Sequence, residues 1–510
     1  MALARACAVA LIGLDGHLVE VEADLALGLP GLTVIGLPDA ALAEARDRIR
    51  AAIVNSGEAW PQRRITLALS PASLPKRGSG FDLALAAAVL AANGVVPADS
   101  LHGRVLLGEL GLDGRVRPVP GVLPALLTAS RAGLERAVVP AGNLAEASLL
   151  PGMQADGVAC LRDLLCLLRG EPYDDTGSSA APPAERAAGP TLDMLDVAGQ
   201  VGGRTAVEVA AAGGHHLFLL GPPGSGKTML AERMPALLPP LPLADALEVT
   251  AIHSVAGALP PDQPLLDRAP FQDPHHTATV ASVVGGGSGI ARPGAASLAH
   301  RGVLFLDEAP EFAHGVLDAL RQPLESGRLS ITRVGGTAVY PARFTLLLAA
   351  NPCPCGSLDD ACACPPDARR RYLARLSGPL LDRIDMHVTV PRITRAEMMA
   401  EDGRGEPSAD IAARVAHARE RAAARFAGTP WRTNGQVPPV ELRRRWPLPR
   451  ATTAPAENAL DQGALTARGF GRVLRVAWTL ADLQDCGRPG PEHVSHALGF
   501  RTGPAQRLAA

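Results

Sequence analysis

The 510-residue chain carries 49 Lys and Arg against 51 Asp and Glu, a formal net charge of −2, with 47% hydrophobic and only 3% aromatic residues. That length exceeds a single core and predicts roughly two to four domains, and near-neutrality excludes a globally basic nucleic-acid binder while leaving room for a local basic channel. The start, MALARACAVALIGLDG, lacks a clear cleavage site, and no uninterrupted apolar run of about 18 residues follows, which predicts a cytoplasmic protein with no membrane partner.

In chain order, residues 1–170 read as an α/β domain. Leu18–Ala23 and Leu32–Ile35 have strand character, residues 38–56 helical spacing, Arg64–Leu69 strand composition, and Phe81–Ala92 is an Ala/Leu helix. Arg104–Glu109 and Ala137–Pro140 supply further strands. Residues 171–190, rich in Pro, Ser and small residues, form the clearest linker. A second α/β unit spans 191–390, and residues 391–510 read as mainly helical, with the periodic segments Ile411–Phe426 and Ala467–Leu483.

The second unit opens on a short apolar strand, His216–Leu220, that runs into GPPGSGKT. Gly221, Pro222, Pro223, Gly224, Ser225, Gly226, Lys227 and Thr228 match G-x-x-x-x-G-K-[ST], in which glycines let backbone amides converge on phosphate, the lysine adds a point charge and the hydroxyl meets Mg²⁺. Lys227 is one of only two lysines in an arginine-rich chain. Arginine's planar fork fits such a loop poorly.

Downstream, the apolar strand Val303–Leu306 ends in Asp307–Glu308. Asp307 is placed to hold Mg²⁺ and Glu308 to polarise the attacking water. Adjacent acids at a strand end are weak evidence alone; with a phosphate loop upstream they read as an ATP site. Asn351 follows the apolar run Phe344–Ala350, where an amide orients the lytic water or touches the γ-phosphate; the plain alternative is a turn residue before Pro352. Arg383 reads as an arginine finger supplied to a neighbouring subunit, or as a surface salt bridge to Asp382 or Asp385. Arg468 begins a predicted helix and reaches toward the γ-phosphate from a lid, with Arg472 and Arg475 as near alternatives.

Two insertions suit a ring pore of the kind that the family resemblance given next implies. Residues 275–300 carry the glycine run Gly285–Gly289, and 329–340 read as a hairpin turning at Gly335–Gly336, with Arg333 near its tip available to DNA phosphates; ring assembly alone is the other reading of the hairpin. Cys353, Cys355, Cys362 and Cys364 fall within twelve residues, which suits structural Zn²⁺, with reduced thiols or a disulfide as the alternatives.

The wording GPPGSGKTMLA, AHRGVLFLDEAPEF, AANPCPCG, SGPLLDRID and ARGFGRVLRVAWTLADL resembles the bacterial magnesium-chelatase-like AAA+ ATPases, the group that contains the competence protein ComM. The likeness spans nearly the whole chain, with Ala309 standing where the group usually has leucine. It implies Walker A at 221–228, Walker B at Asp307 and Glu308, sensor 1 at Asn351, an arginine finger at Arg383 and a sensor-2 arginine at Arg468, with ATP and Mg²⁺ as cofactors. It further implies a central AAA+ domain, a helical lid and a homohexamer that moves DNA in branch migration alongside recombination proteins, including during natural transformation. A magnesium-chelatase motor subunit is the alternative, although the chain has no acidic linker and no D-x-S-x-S motif.

Residues 1–170 resemble the Lon-protease, ribosomal-S5-like fold, through PKRGSGFDLALAAAVLAA and GELGLDGRVRPVPGVLPALLTASRAG. Ser79 stands nearest the nucleophile, but the lysine position falls in 121–124, where Leu123 or a neighbour stands. The resemblance therefore implies a proteolytically inactive domain. Lys76 lies three residues before Ser79, and an ATP-dependent protease is the third reading.

Overall fold

The computed structural model describes residues 2–36, 40–74, 76, 78–173, 192–260, 262–287, 291–333, 336–356, 362–400 and 405–502. Most of the expected linker, the end of the glycine run and the hairpin tip at Gly335 lie outside the described residues.

A first sheet has seven strands in the order 31–35, 64–70, 15–26, 2–12, 104–106, 136–140, 154–158. Ala2–Ile12 and Asp15–Ala26 form an antiparallel ladder from Ala2↔Leu25 to Ile12↔Asp15. Gly13–Leu14 makes the turn, with Gly13 at φ +68°, the left-handed conformation that such two-residue turns require. Ala4, Ala6, Ala8 and Ala10 alternate inward. Alanine has weak strand preference, so this first strand is set by its long pairing and not by its composition.

The Ala/Leu helix Asp82–Ala92 is buried at every position and packs on the first two strands. Asp82, at its first turn, is fully buried; Arg48 donates to both carboxylate oxygens at 2.8 and 3.0 Å, and the amide of Leu110 adds a third bond at 3.2 Å.

The second sheet has five strands in the order 271–272, 303–306, 345–350, 217–220, 386–389, parallel at every pairing. Apolar runs without alternation suit a parallel sheet covered on both faces. One face packs on the helices Val201–Gly213 and Lys227–Leu237, which share a continuous core with Ser408–Arg425, Ala467–Leu483 and Pro491–Thr502. The other face packs on short helices and loops that include Leu317, Tyr372 and Leu380.

A buried ion network ties the C-terminal helices to this sheet. Asp385, just before the strand Met386–Thr389, is 3% exposed. It accepts from Arg472 at 2.6 Å and from the amide of His216 at 3.1 Å, with His215 at 3.7 Å and Arg475 at 4.0 Å. Burial alone would raise its pKa, but Arg472 and the two histidines hold it well below the ordinary value of 3.8.

Replacing Asp385 with Ala is expected to lower stability by about 3–5 kcal/mol, read from urea unfolding, because Arg472 then stays buried without its partner. Because the folded-state pKa is depressed, the wild-type contribution is complete above pH 3.8 and is lost as the pH falls below it. The variant should therefore show less acid dependence of stability in that range.

Candidate nucleotide site

The buried strand Leu217–Leu220 delivers the chain to Gly221 at the carboxyl edge of the parallel sheet, where α/β proteins place ligands. A Cβ on Gly221 would lie 2.2 Å from the carbonyl oxygen of Val390, so only glycine fits at the root of the loop. Gly224 and Gly226 adopt φ +72° and +89°, and around both there is open space. The helix Lys227–Leu237 starts directly on Gly226, so its free amides and positive end face the loop.

Lys227 is 8% exposed and donates to the carbonyls of Gly221 at 2.8 Å and Pro222 at 2.9 Å, and to Oδ1 of Asn351 at 3.2 Å. Burial lowers its pKa, and the nearby Asp307 and Glu308 oppose that shift. Thr228 donates to Oδ2 of Asp307 at 2.7 Å, while Oδ1 of Asp307 accepts the amide of Glu308 at 2.8 Å. Glu308 itself sits at φ +49°, which turns its side chain off the end of the strand. Lys227, Thr228, Asp307, Glu308 and Asn351 thus gather at the ends of three neighbouring strands. Paired hydroxyl and carboxylate oxygens suit a hard cation such as Mg²⁺, and open glycine amides with a lysine suit phosphates.

His276 belongs to this cluster although no sequence motif singled it out. Its Nδ1 lies 3.3 Å from the Glu308 carboxylate, and its ring rests on His275 with centroids 4.1 Å apart. The available signal was a pair of histidines shortly after the strand Phe271–Gln272.

Arg383 and Arg468 stand apart from this cluster: among the described residues, no hydrogen bond or ion pair joins either to 221–228. Arg383 pairs with Glu325 and donates to the carbonyl of Pro379, so neither Asp382 nor Asp385 is its partner. Those acids are taken by the C-terminal helices. Asp382 holds Arg468 at 3.2 Å and Arg501 at 3.6 Å, and Asp385 holds Arg472. Arg468 is the exposed arginine of its helix, its side chain 77% accessible, whereas Arg472 and Arg475 are largely buried.

The sulfur atoms of Cys353, Cys355, Cys362 and Cys364 all lie within 4.8 Å of one another. Cys353 is buried, and burial together with its neighbouring thiols pushes its pKa up to about 12. A Cβ on Gly356 would lie 2.6 Å from the Pro223 ring, so this loop abuts the phosphate loop. In the N-terminal domain, Ser79 donates to Glu109, whereas the buried Lys76 donates to the carbonyl of Pro71. Nucleophile and lysine are therefore engaged separately.

Comparison with known proteins matches residues 193–398 to the family described as magnesium chelatase, subunit ChlI, residues 21–143 to subunit ChlI of Mg-chelatase, and residues 405–501 to the ChlI C-terminal family. An uncharacterized protein of Mycobacterium tuberculosis is 54% identical over 99% of this chain and 100% of its own length. The uncharacterized protein YifB of Salmonella typhimurium is 40% identical over 98% of this chain and 97% of its own. Competence protein ComM of Haemophilus influenzae is 39% identical, with 98% of each chain covered.

Because His276 touches Glu308 and no residue of the phosphate loop, His276→Ala is expected to change kcat for ATP about threefold or more while KM stays within about twofold. Steady-state ATPase assays check this; a change confined to KM would place His276 in binding instead.

Proposed function

The chain belongs to the magnesium-chelatase-like AAA+ ATPases, in the branch that contains ComM, and on that footing we propose that it is a ring-forming, ATP-driven DNA translocase that promotes branch migration in recombination. The observation that carries this reading is the division of the catalytic set. Lys227, Thr228, Asp307, Glu308 and Asn351 converge within one chain, while Arg383 and Arg468 stand outside that cluster.

In this reading Lys227 and the loop amides hold the phosphates, Thr228 and Asp307 hold Mg²⁺, Glu308 polarises water and Asn351 positions it. Arg383 completes the site of a neighbouring subunit, which makes an oligomer, with a hexamer as the family's form, a requirement of hydrolysis. Arg468, accessible at the start of its helix, reports the nucleotide from the lid. The hairpin of Arg328–Arg333 with Gly336–Pro341, backed by the glycine segment 285–286, supplies the DNA-facing element, with the exposed Arg333 meeting phosphate. Among the described residues, no helix is long and apolar enough to cross a membrane. Residues 1–170 act as a Lon-like domain without peptidase chemistry, since Lys76 bonds Pro71 and not Ser79.

The decisive test is ATP hydrolysis and branch migration by the purified protein on Holliday-type DNA. Lys227→Ala is expected to lower both by about 10²-fold or more, and Arg383→Ala to cost about 10³-fold in hydrolysis. Arg383→Ala subunits mixed with Lys227→Ala subunits should recover part of the activity. Full activity of Arg383→Ala would remove the shared-site assignment, and stimulation only by a porphyrin-metallating partner would favour the chelatase reading.

We also infer a structural Zn²⁺ at Cys353, Cys355, Cys362 and Cys364. The sulfurs of Cys353, Cys355 and Cys362 lie 3.2–3.6 Å apart and that of Cys364 within 4.8 Å of them, which approaches the spacing of about 3.8 Å expected between thiolates in a tetrahedral site with Zn–S bonds of about 2.3 Å. The purified protein should carry about one zinc per chain by elemental analysis, and the double variant Cys355→Ser/Cys362→Ser should carry none.

A further inference from the structure

The turn Gly13–Leu14 lies where the first sheet meets the ATPase unit. A Cβ on Gly13 would sit 3.2 Å from Cβ of Ala338 and 3.4 Å from the backbone of Val339. One on Gly336 would sit 3.7 Å from Ile12. Both Ala338 and Gly336 belong to the hairpin assigned above to DNA. Leu14 packs with Val255 against a small separate core of Ala291, Ile331, Ala338 and Tyr340.

That core also holds the glycine segment. Tyr340 is fully buried, and its hydroxyl donates to the carbonyl of Ala291 at 2.6 Å. A Cβ on Gly285 would lie 2.6 Å from Cδ1 of Ile331, and one on Gly286 would lie 3.4 Å from the Arg333 guanidinium. The two ring-pore candidates are therefore packed on each other, with Leu14 closing the core between them.

A second tie fixes the same region. Ser254, on the helix Leu243–Ala256, accepts the amide of Gly121 at 2.9 Å and donates to the buried carboxylate of Glu146. Glu146 also accepts the amide of Leu123 at 2.8 Å and the Asn143 side chain at 3.2 Å. The polar tie and the apolar one thus fall on adjacent residues, Ser254 and Val255.

We propose that the N-terminal domain is a positioning element of the motor: through Gly13–Leu14 it sets the stance of the hairpin 328–341 and of the glycine segment beside it. Leu14 is a positioning residue, packed on the small core and outside the nucleotide cluster. A hairpin anchored only at its base would yield under load. Packing at Ala338, Val339 and Gly336 supports it along its length and carries force into the seven-stranded sheet. The consequence for DNA rests on the function proposed above; the mechanical contact does not.

The test uses the full-length protein with Leu14→Ala and Leu14→Asp, and Leu14→Met as the conservative control. Without DNA, amide exchange in peptides covering 328–341 and 291–293 should quicken by about tenfold, while peptides holding Lys227 and Asp307 stay unchanged. Basal ATP turnover should remain within about twofold of wild type and DNA-stimulated turnover should fall by about fivefold or more, with Leu14→Met close to wild type. Hairpin exchange that stays at the wild-type rate in Leu14→Asp overturns the proposal, as does faster exchange with undiminished DNA stimulation. If the wild-type protein shows no DNA stimulation, the DNA reading falls, while the exchange result still decides the contact. Should Leu14→Asp fail to fold, Leu14→Ala carries the same measurements.

Discussion

The strand Leu217–Leu220 lies between Thr345–Ala350 and Met386–Thr389, in parallel register with both. That ladder is the constraint on which the rest depends. Parallel pairing puts every carboxyl end on one edge, so the phosphate loop, the acid pair and Asn351 arrive together although up to 130 residues separate them in sequence. The apolar runs supply the burial that fixes this register. At the edge, the largely buried Lys227 is held by three oxygen acceptors. The lysine is therefore held by the loop's own carbonyls, and in the proposed function phosphates replace them with stronger, charge-assisted bonds.

Charge organises the other side of the sheet. Asp382 and Asp385 flank Arg383 in sequence, yet both acids turn to the C-terminal helices, and Arg383 turns to Glu325. Four arginines from two helices, Arg468, Arg472, Arg475 and Arg501, converge on one short segment. The segment that presents Arg383 and the helix that presents Arg468 are consequently one electrostatic unit. Through Asp385, which also accepts the amide of His216, that unit is joined to the sheet.

The N-terminal sheet makes a third layer of dependence. Its first turn and the start of the helix Val122–Arg131 both rest on the ATPase unit, one through a small apolar core and one through the buried Ser254–Glu146 bond. The same domain engages Ser79 with Glu109 and Lys76 with the carbonyl of Pro71.

Much of the nucleotide site was legible in the sequence because its parts are local: a glycine loop between a strand and a helix, an acid pair ending an apolar run, an amide ending another. The Ala/Leu helix at 82–92 and the helices 411–426 and 467–483 were legible for the same reason, since periodicity is a property of short windows. The first strand was not, because alanines gain strand structure only by pairing with a partner. His276 was not, because its significance is a distance of 3.3 Å to a residue thirty-two positions away. The alternative pairing of Arg383 with Asp382 or Asp385 is not the one formed, because both acids turn to the C-terminal helices and Arg383 meets Glu325. What the sequence determined by itself was which chemical groups exist and which local element carries each. What only the tertiary structure decided was which charge meets which and what supports the hairpin, because both depend on buried contacts between segments that sequence distance does not constrain.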